Sequence, residues 1–154
     1  MRAIFAALFL LLAAPALADD WQRYENTTYG YTLDIPPGLL WRGEGGNGDG
    51  QAFTTPTVTL MVQGLPAPAG FEAAIRKWRD WESRMGWNLV FEMTTPSAAS
   101  ASARRSGWLM EMRAITICGD AVALLQIEYG TVEAVTMKPT IERLARSLRA
   151  TRRC

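Results

Sequence analysis

A chain of 154 residues with 16 basic and 15 acidic side chains is close to electrically neutral, so it lacks the overall field that would draw nucleic acid or an anionic membrane. It contains no histidine, which removes Ser-His-Asp and Cys-His catalysis and every metal site built on imidazole. Hydrophobic residues make up 49% of the chain and six residues are tryptophan, a globular rather than a disordered composition.

The first eighteen residues have the form of an export signal. Arg2 supplies a positive start, Ala3 to about Ala14 an apolar run, and Ala16 and Ala18 the small residues that precede cleavage before Asp19. The run is too short before Pro15 and the Asp19-Asp20 pair for a membrane anchor, which needs about 20 apolar residues. The expectation is a leader at 1–18 and one mature domain at 19–154, periplasmic or secreted, with no membrane span after cleavage. That length suits one compact domain of about 100–150 residues.

After Asp20, Tyr29, Tyr31, Leu33 and Ile35 alternate with Thr28, Gly30, Thr32 and Asp34, which predicts a half-buried strand ended by Pro36-Pro37-Gly38. A short strand at 39–42 leads into a glycine-rich loop, and strands follow at 51–55 and 57–63. Phe71, Ile75, Trp78, Trp81 and Met85 then recur at helical spacing up to Gly86. Residues 87–95 return to strand character with Leu89, Phe91 and Met93 on one face. The Ser- and Ala-rich segment 97–106 fits either a small-residue edge strand or a loose loop.

Trp108 to Cys118 and Ala121 to Tyr129 form a predicted hairpin around Gly119-Asp120. Its second strand carries apolar residues on both faces, which places it centrally in a sheet. A final helix is expected from about Pro139 to Ala150, with Ile141, Leu144, Ala145 and Leu148 inward and a basic end. Strands joined by short turns with helices packed on them make an α+β domain on a mostly antiparallel sheet.

The opening Tyr24-Glu-Asn-Thr-Thr-Tyr-Gly-Tyr-Thr-Leu-Asp-Ile-Pro-Pro-Gly-Leu39 resembles the start of the mature domain in a group of uncharacterised exported bacterial proteins. Asn47-Gly-Asp-Gly50, Cys118-Gly119-Asp120, Glu128-Tyr129 and Ile141 to Leu148 extend the resemblance over most of the mature chain. The opening and the element order are similar to the PsbP-like superfamily, which implies an α/β/α sandwich and a binding or assembly scaffold. Fold analogy does not choose a partner.

Several constellations bear on chemistry. Cys118 and Cys154 are within reach if the last helix returns along the hairpin, which predicts a structural disulfide in an oxidising compartment; a frayed terminus with Cys154 free is the alternative. Glu44, Asn47 and Asp49 in the glycine loop offer oxygen ligands to calcium, although the spacing fails as an EF-hand and a solvated hairpin loop accounts for the same residues. Trp21, Tyr24, Tyr29, Tyr31 and Trp41 form either an aromatic ligand groove or part of the core. Arg143, Arg146, Arg149, Arg152 and Arg153 form a basic helix face for an acidic partner, lipid headgroups or water.

A two-residue turn would bring Glu111 opposite Glu128, with Arg113 on the same face as a charge partner for both. Lys77 and Lys138, the only lysines, have no serine at a spacing that suggests a nucleophile and its base. Two functions follow. The first is a non-enzymatic exported domain that binds a protein or envelope component without a cofactor. The second is a carboxylate-dependent hydrolase of a cell-wall or saccharide substrate.

Overall fold

The structure, a computed structural model, describes residues 20–44 and 48–152. The expected leader, Asn47, Arg153 and Cys154 lie outside the described residues. Among the described residues, ten strands and two long helices follow in the order β1 (Gln22–Asn26), β2 (Tyr31–Ile35), β3 (Leu40–Glu44), β4 (Gly50–Thr54), β5 (Val58–Pro66), α1 (Phe71–Arg84), β6 (Asn88–Thr94), β7 (Ala98–Arg105), β8 (Trp108–Ile117), β9 (Ala121–Gly130), α2 (Ala134–Ser147) and β10 (Arg149–Ala150). A 3₁₀ turn at Thr131–Glu133 joins β9 to α2.

β3-β4-β5-β9-β8-β7-β6 form one seven-stranded sheet and β1-β2-β10 a small second one, antiparallel throughout. β9 is the middle strand, as its two apolar faces predict. Ala121, Ala123, Leu125, Ile127 and Tyr129 meet a core shared with Tyr31, Leu33, Leu60, Val62, Leu144 and Leu148 from the small sheet, β5 and α2. Val122 and Leu124 meet the opposite core, where Phe71, Ile75 and Trp78 of α1 pack over Met110 and Met112. Each of the larger apolar side chains withdrawn from water contributes about 1.5–3 kcal/mol, and the two cores hold a helix on each side of the sheet.

β7 settles the Ser- and Ala-rich segment as an interior strand, since β6 lies outside it. Ala99, Ala101 and Ala103 turn toward α1 and are buried; their small side chains leave room there for Trp78 and Trp87. β6 departs from the expected alternation. A bulge between Leu89 and Phe91 pairs Leu89 with Ala103 but Phe91 with Ser102. Leu89 therefore joins the α1 core, whereas Phe91 and Met93 point to the other face and are half exposed.

The expected two-residue hairpin turn is one residue longer. Ile117 pairs with Ala121 and Glu111 with Ile127, so the connection is Cys118-Gly119-Asp120, with φ of 80° at Gly119 and 50° at Asp120. One residue of slip moves a whole strand's side chains to the other face, and the consequence for the two glutamates is given below.

α2 starts five residues before the expected Pro139 and runs through it. It is entered directly from the 3₁₀ turn, and its N-terminus has no side-chain capping bond, so the sequence carries no start signal there. Pro139 frees the carbonyl of Val135, a residue that is 86% exposed, where water can take the missing bond. The helix ends at Ser147 rather than Ala150, because Arg149 and Ala150 pair with Thr32 and Tyr31 of β2.

β1 is largely exposed and polar, and it is fixed by the turn that follows. The Asn26 side chain is buried; its Oδ1 accepts from the Tyr29 N–H at 2.8 Å, and its Nδ2 donates to the Tyr24 hydroxyl at 3.2 Å and the Gly48 carbonyl at 3.0 Å. Gly30 closes the turn at φ 73°. The Tyr-x-Asn-x-x-Tyr-Gly spacing is thus a turn-capping device.

Candidate functional site

α1 crosses the β7-β8-β9 half of the sheet and leaves the same face of β5 open beside it. A groove of about 310 Å³ results, with Met61, Gln63 and Leu65 of β5 on one side and Ala74, Lys77, Trp78, Trp81, Glu82 and Arg84 of α1 on the other. The helix explains the arrangement. Phe71, Ile75, Trp78 and Glu82 face the sheet, so Trp81 and Met85, expected on the apolar face, are turned out and remain 56% and 50% exposed. The sequence reading assigned the buried position to Trp81, and the structure gives it to Glu82.

Glu82 belongs to a polar network under the helix. Trp78 Nε1 donates to Gln126 Oε1 at 2.9 Å, and Gln126 Nε2 donates to Glu128 Oε1 at 3.0 Å. Arg105 lies 3.9 Å from the Glu128 carboxylate, donates to the Met85 carbonyl at 2.9 Å and stacks over Trp87 at 4.3 Å. Burial pushes the Glu82 carboxyl above its ordinary range, partly opposed by the Gln126 amide; the Glu128 charge pushes the same way as burial and Arg105 against it. The donors and acceptors of this network are spent on one another, which fixes the wall of the groove.

The proposed carboxylate pair is not formed. Glu111 pairs with Ile127 and lies on the α2 face, whereas Glu128 pairs with Met110 and lies on the α1 face. The sheet itself separates them, so no glycosidic bond can sit between the two carboxylates. Arg113 shares a face with Glu111 alone, and it donates to Ser100 at 2.9 Å. Glu111 accepts from Ser102 at 2.6 Å; burial raises its carboxyl and that bond opposes the rise.

The five aromatic residues do not line one groove. Tyr31 is fully buried, its hydroxyl donates to the Asp49 carbonyl at 3.0 Å, and burial, with Tyr24 beside it, pushes its phenol far up. Tyr24 meets Tyr31 and Phe53 edge to face at 6.1 and 6.3 Å. Tyr29 packs against the same core and Trp21 is partly covered, while Trp41 on β3 is 60% exposed. Core packing accounts for four of the five.

Of the glycine-loop residues, Asn47 and the Glu44 side chain lie outside the described residues. Asp49 is described, and its carbonyl accepts from the Gly64 N–H at 2.6 Å as well as from Tyr31. Cys118 Sγ lies 3.7 Å from the carbonyl oxygen of Arg152, two positions before Cys154. The arginines do not form one helix face: Arg143 and Arg146 are on α2, Arg149 is on β10, and Arg152 lies beyond it.

The groove and the polar network escaped the sequence reading because both depend on which face of α1 meets the sheet. The available signal was Glu82, four positions after Trp78 on the same helical stripe.

No family model and no curated protein matches the chain. Solved structures do. CyanoP from the cyanobacterium Synechocystis sp. PCC 6803 superposes with a TM-score of 0.68 at 14% identity, over 89% of this chain and 96% of that one. The Ran-binding protein Mog1p of Saccharomyces cerevisiae superposes with a TM-score of 0.62 at 9% identity, over 87% of this chain and 97% of that one. With a central antiparallel sheet, a helix on either side and a small sheet that joins β1 and β2 to β10, this chain has the PsbP-like fold.

Proposed function

We propose that the protein is an exported, non-enzymatic domain that holds a partner protein in the groove between α1 and β5. The observation that carries this reading is Trp81. It stands 56% exposed beside a concave surface of Met61, Leu65 and Ala74, and tryptophan is among the residues enriched at the energetic centres of protein interfaces. Lys77 and Arg84 rim the groove, so the complementary segment carries an apolar side chain flanked by acidic residues. Mog1p is a Ran-binding protein, which supports protein binding on this fold by analogy.

Export rests on the leader pattern at 1–18, with the mature chain starting at Asp19. Among the described residues no helix is long and apolar enough to cross a membrane. An oxidising compartment would let Cys118 pair with Cys154, whose neighbour Arg152 already lies beside Cys118.

The test is photo-crosslinking in the host envelope, with a photoreactive phenylalanine analogue at position 81 and, as a control, at Val132, which is 91% exposed. One adduct at position 81, missing at 132 and lost in K77E/R84E, supports the groove. The same adducts from both positions, or none at 81, overturns it. N-terminal sequencing of the exported protein tests the start at Asp19.

A further inference from the structure

The groove beside α1 does not end at β5. Met61 and Gln63 also line a recess of about 290 Å³ that runs on over β4 to Arg42 of β3. Strand partners share a face of a sheet, so Ala52 and Thr54 of β4, which pair with Met61 and Thr59, continue the same floor, as does Leu40 of β3, which pairs with Thr54. Along β5 the two faces differ. Val58, Leu60 and Val62 are buried on one side, whereas Thr59, Met61, Gln63 and Leu65 stay partly exposed on the other. Among the described residues no helix covers this half of the α1 face.

Three features select what fits there. The backbone of β5 is paired with β4 and β9 on either side, and that of β4 with β3 and β5, so an arriving strand finds free N–H and C=O groups only at the outer edge of β3, beyond the groove. From β3 to β5 the floor spans about 10 Å at roughly 4.8 Å per strand, close to the width of one helix at about 10–12 Å. On α1, Ala74, Lys77, Trp81 and Arg84 line the groove at spacings of three, four and three residues, the kind of row that a neighbouring helix packs against.

Lys77 and Arg84 give that row its charge, and seven residues set them two turns, about 10.5 Å, apart. The Arg84 guanidinium lies 5.9 Å from the centre of the Trp81 ring, so charge and exposed aromatic form one contact surface. Among the described residues neither cation is paired with a carboxylate. Asp80, within a turn of each, lies 3.6 Å from Arg79, and Glu82 faces the sheet. The carbonyl end of α1 weakens the field of Arg84 and leaves that of Lys77. The far flank carries both signs: Arg42 and Asp49 line it, and Glu44 follows Arg42 by two positions.

We propose that the groove is the berth of an amphipathic helix of a partner protein, about four turns long to match α1. It lies beside α1 over β5 and β4, with its apolar face on Met61 and Trp81 and two carboxylates, seven residues apart, against Lys77 and Arg84. This assignment rests on the reading of the groove as a partner site and adds the form and charge of what enters it.

The photoreactive phenylalanine analogue is placed at positions 54 and 61 as well as 81 in the host envelope, and the partner residues attached to it are read by tandem mass spectrometry. A helix predicts one partner segment at all three positions, attached at residues three, four or seven apart. That segment, made as a synthetic peptide, should gain helical circular dichroism on binding the purified mature protein. Exchange of its two rim carboxylates for lysine should weaken binding about tenfold, and K77E/R84E should restore the exchanged peptide, a gain that a misfolded variant cannot mimic. Adducts at 81 with none at 54 and 61, attachment at alternate residues as in a strand, a segment without carboxylates seven apart, attachment to a second copy of this chain, or no rescue overturns the helix and leaves the groove reading standing. No adduct at 81 overturns both.

Discussion

Gly64 is the position where a single methyl group should be felt most clearly. A Cβ built there would lie 2.1 Å from Tyr29 Cγ and 2.6 Å from its Cβ and Cδ1, so Gly64→Ala must displace the ring that closes the β1–β2 turn over the core. Overpacking of this kind costs about 1–3 kcal/mol. For a domain of this size that corresponds to a fall in Tm of about 3–10 °C. The backbone at Gly64 is in strand β5 and lies outside the left-handed region. In a Tyr29→Gly background the same substitution therefore meets neither the ring nor its Cβ, and it should stabilise by about 0.4–1 kcal/mol through the unfolded chain. Urea unfolding followed by tryptophan fluorescence, run on native, both single variants and the double, gives a coupling energy of about 2–3 kcal/mol between the two positions. An equal cost of Gly64→Ala in both backgrounds would refute the packing argument.

Trp78 and Trp81, three residues apart on one helix, should behave oppositely: Trp78→Ala costs about 3–5 kcal/mol because the ring is 7% exposed and bonded to Gln126, whereas Trp81→Ala costs less than about 1 kcal/mol in the same denaturation assay. Glu82 should make stability fall as pH rises. Its folded carboxyl titrates above its ordinary value of 4.5, so the folded state holds a proton that the unfolded state releases first, and the penalty is complete only above the raised value. Glu82→Gln should thus raise Tm at pH 7 and leave it unchanged at pH 3.5; an equal effect at both would exclude the titration. If Cys118 and Cys154 are bridged, C118S/C154S should lose about 3–4 kcal/mol, and reductant should lower the Tm of the native protein alone.

Where a residue's role depends on its own strand, the sequence was informative. The alternation in β2, β5, β8 and β9 and the two-sided burial of β9 follow from side-chain period and composition. The failures share a cause. The Gly119-Asp120 signature was read as the whole turn, and including Cys118 in it moved Glu111 to the other face and dissolved an apparent catalytic pair. Leu89 and Phe91 were separated by a bulge, which periodicity cannot register. β10 is two residues long and exists only because Thr32 and Tyr31 offer it a partner. The groove beside α1 needed the rotation of a helix that buries a glutamate in preference to a tryptophan, and that choice is made by Gln126 and Trp78 together.

The place of β9 in the middle of the sheet also sets an order of assembly. β6 to β9 are successive hairpins, and β3 to β5 are another such run; each can form from near neighbours in the chain. Only the β5–β9 pairing joins them, and it closes a loop that contains α1 and three strands, an entropic cost that local hairpins avoid. The seam between β5 and β9 is therefore expected to close after the hairpins on either side of it. Until it closes, Val62 and Leu125, which face each other across that seam, remain in water.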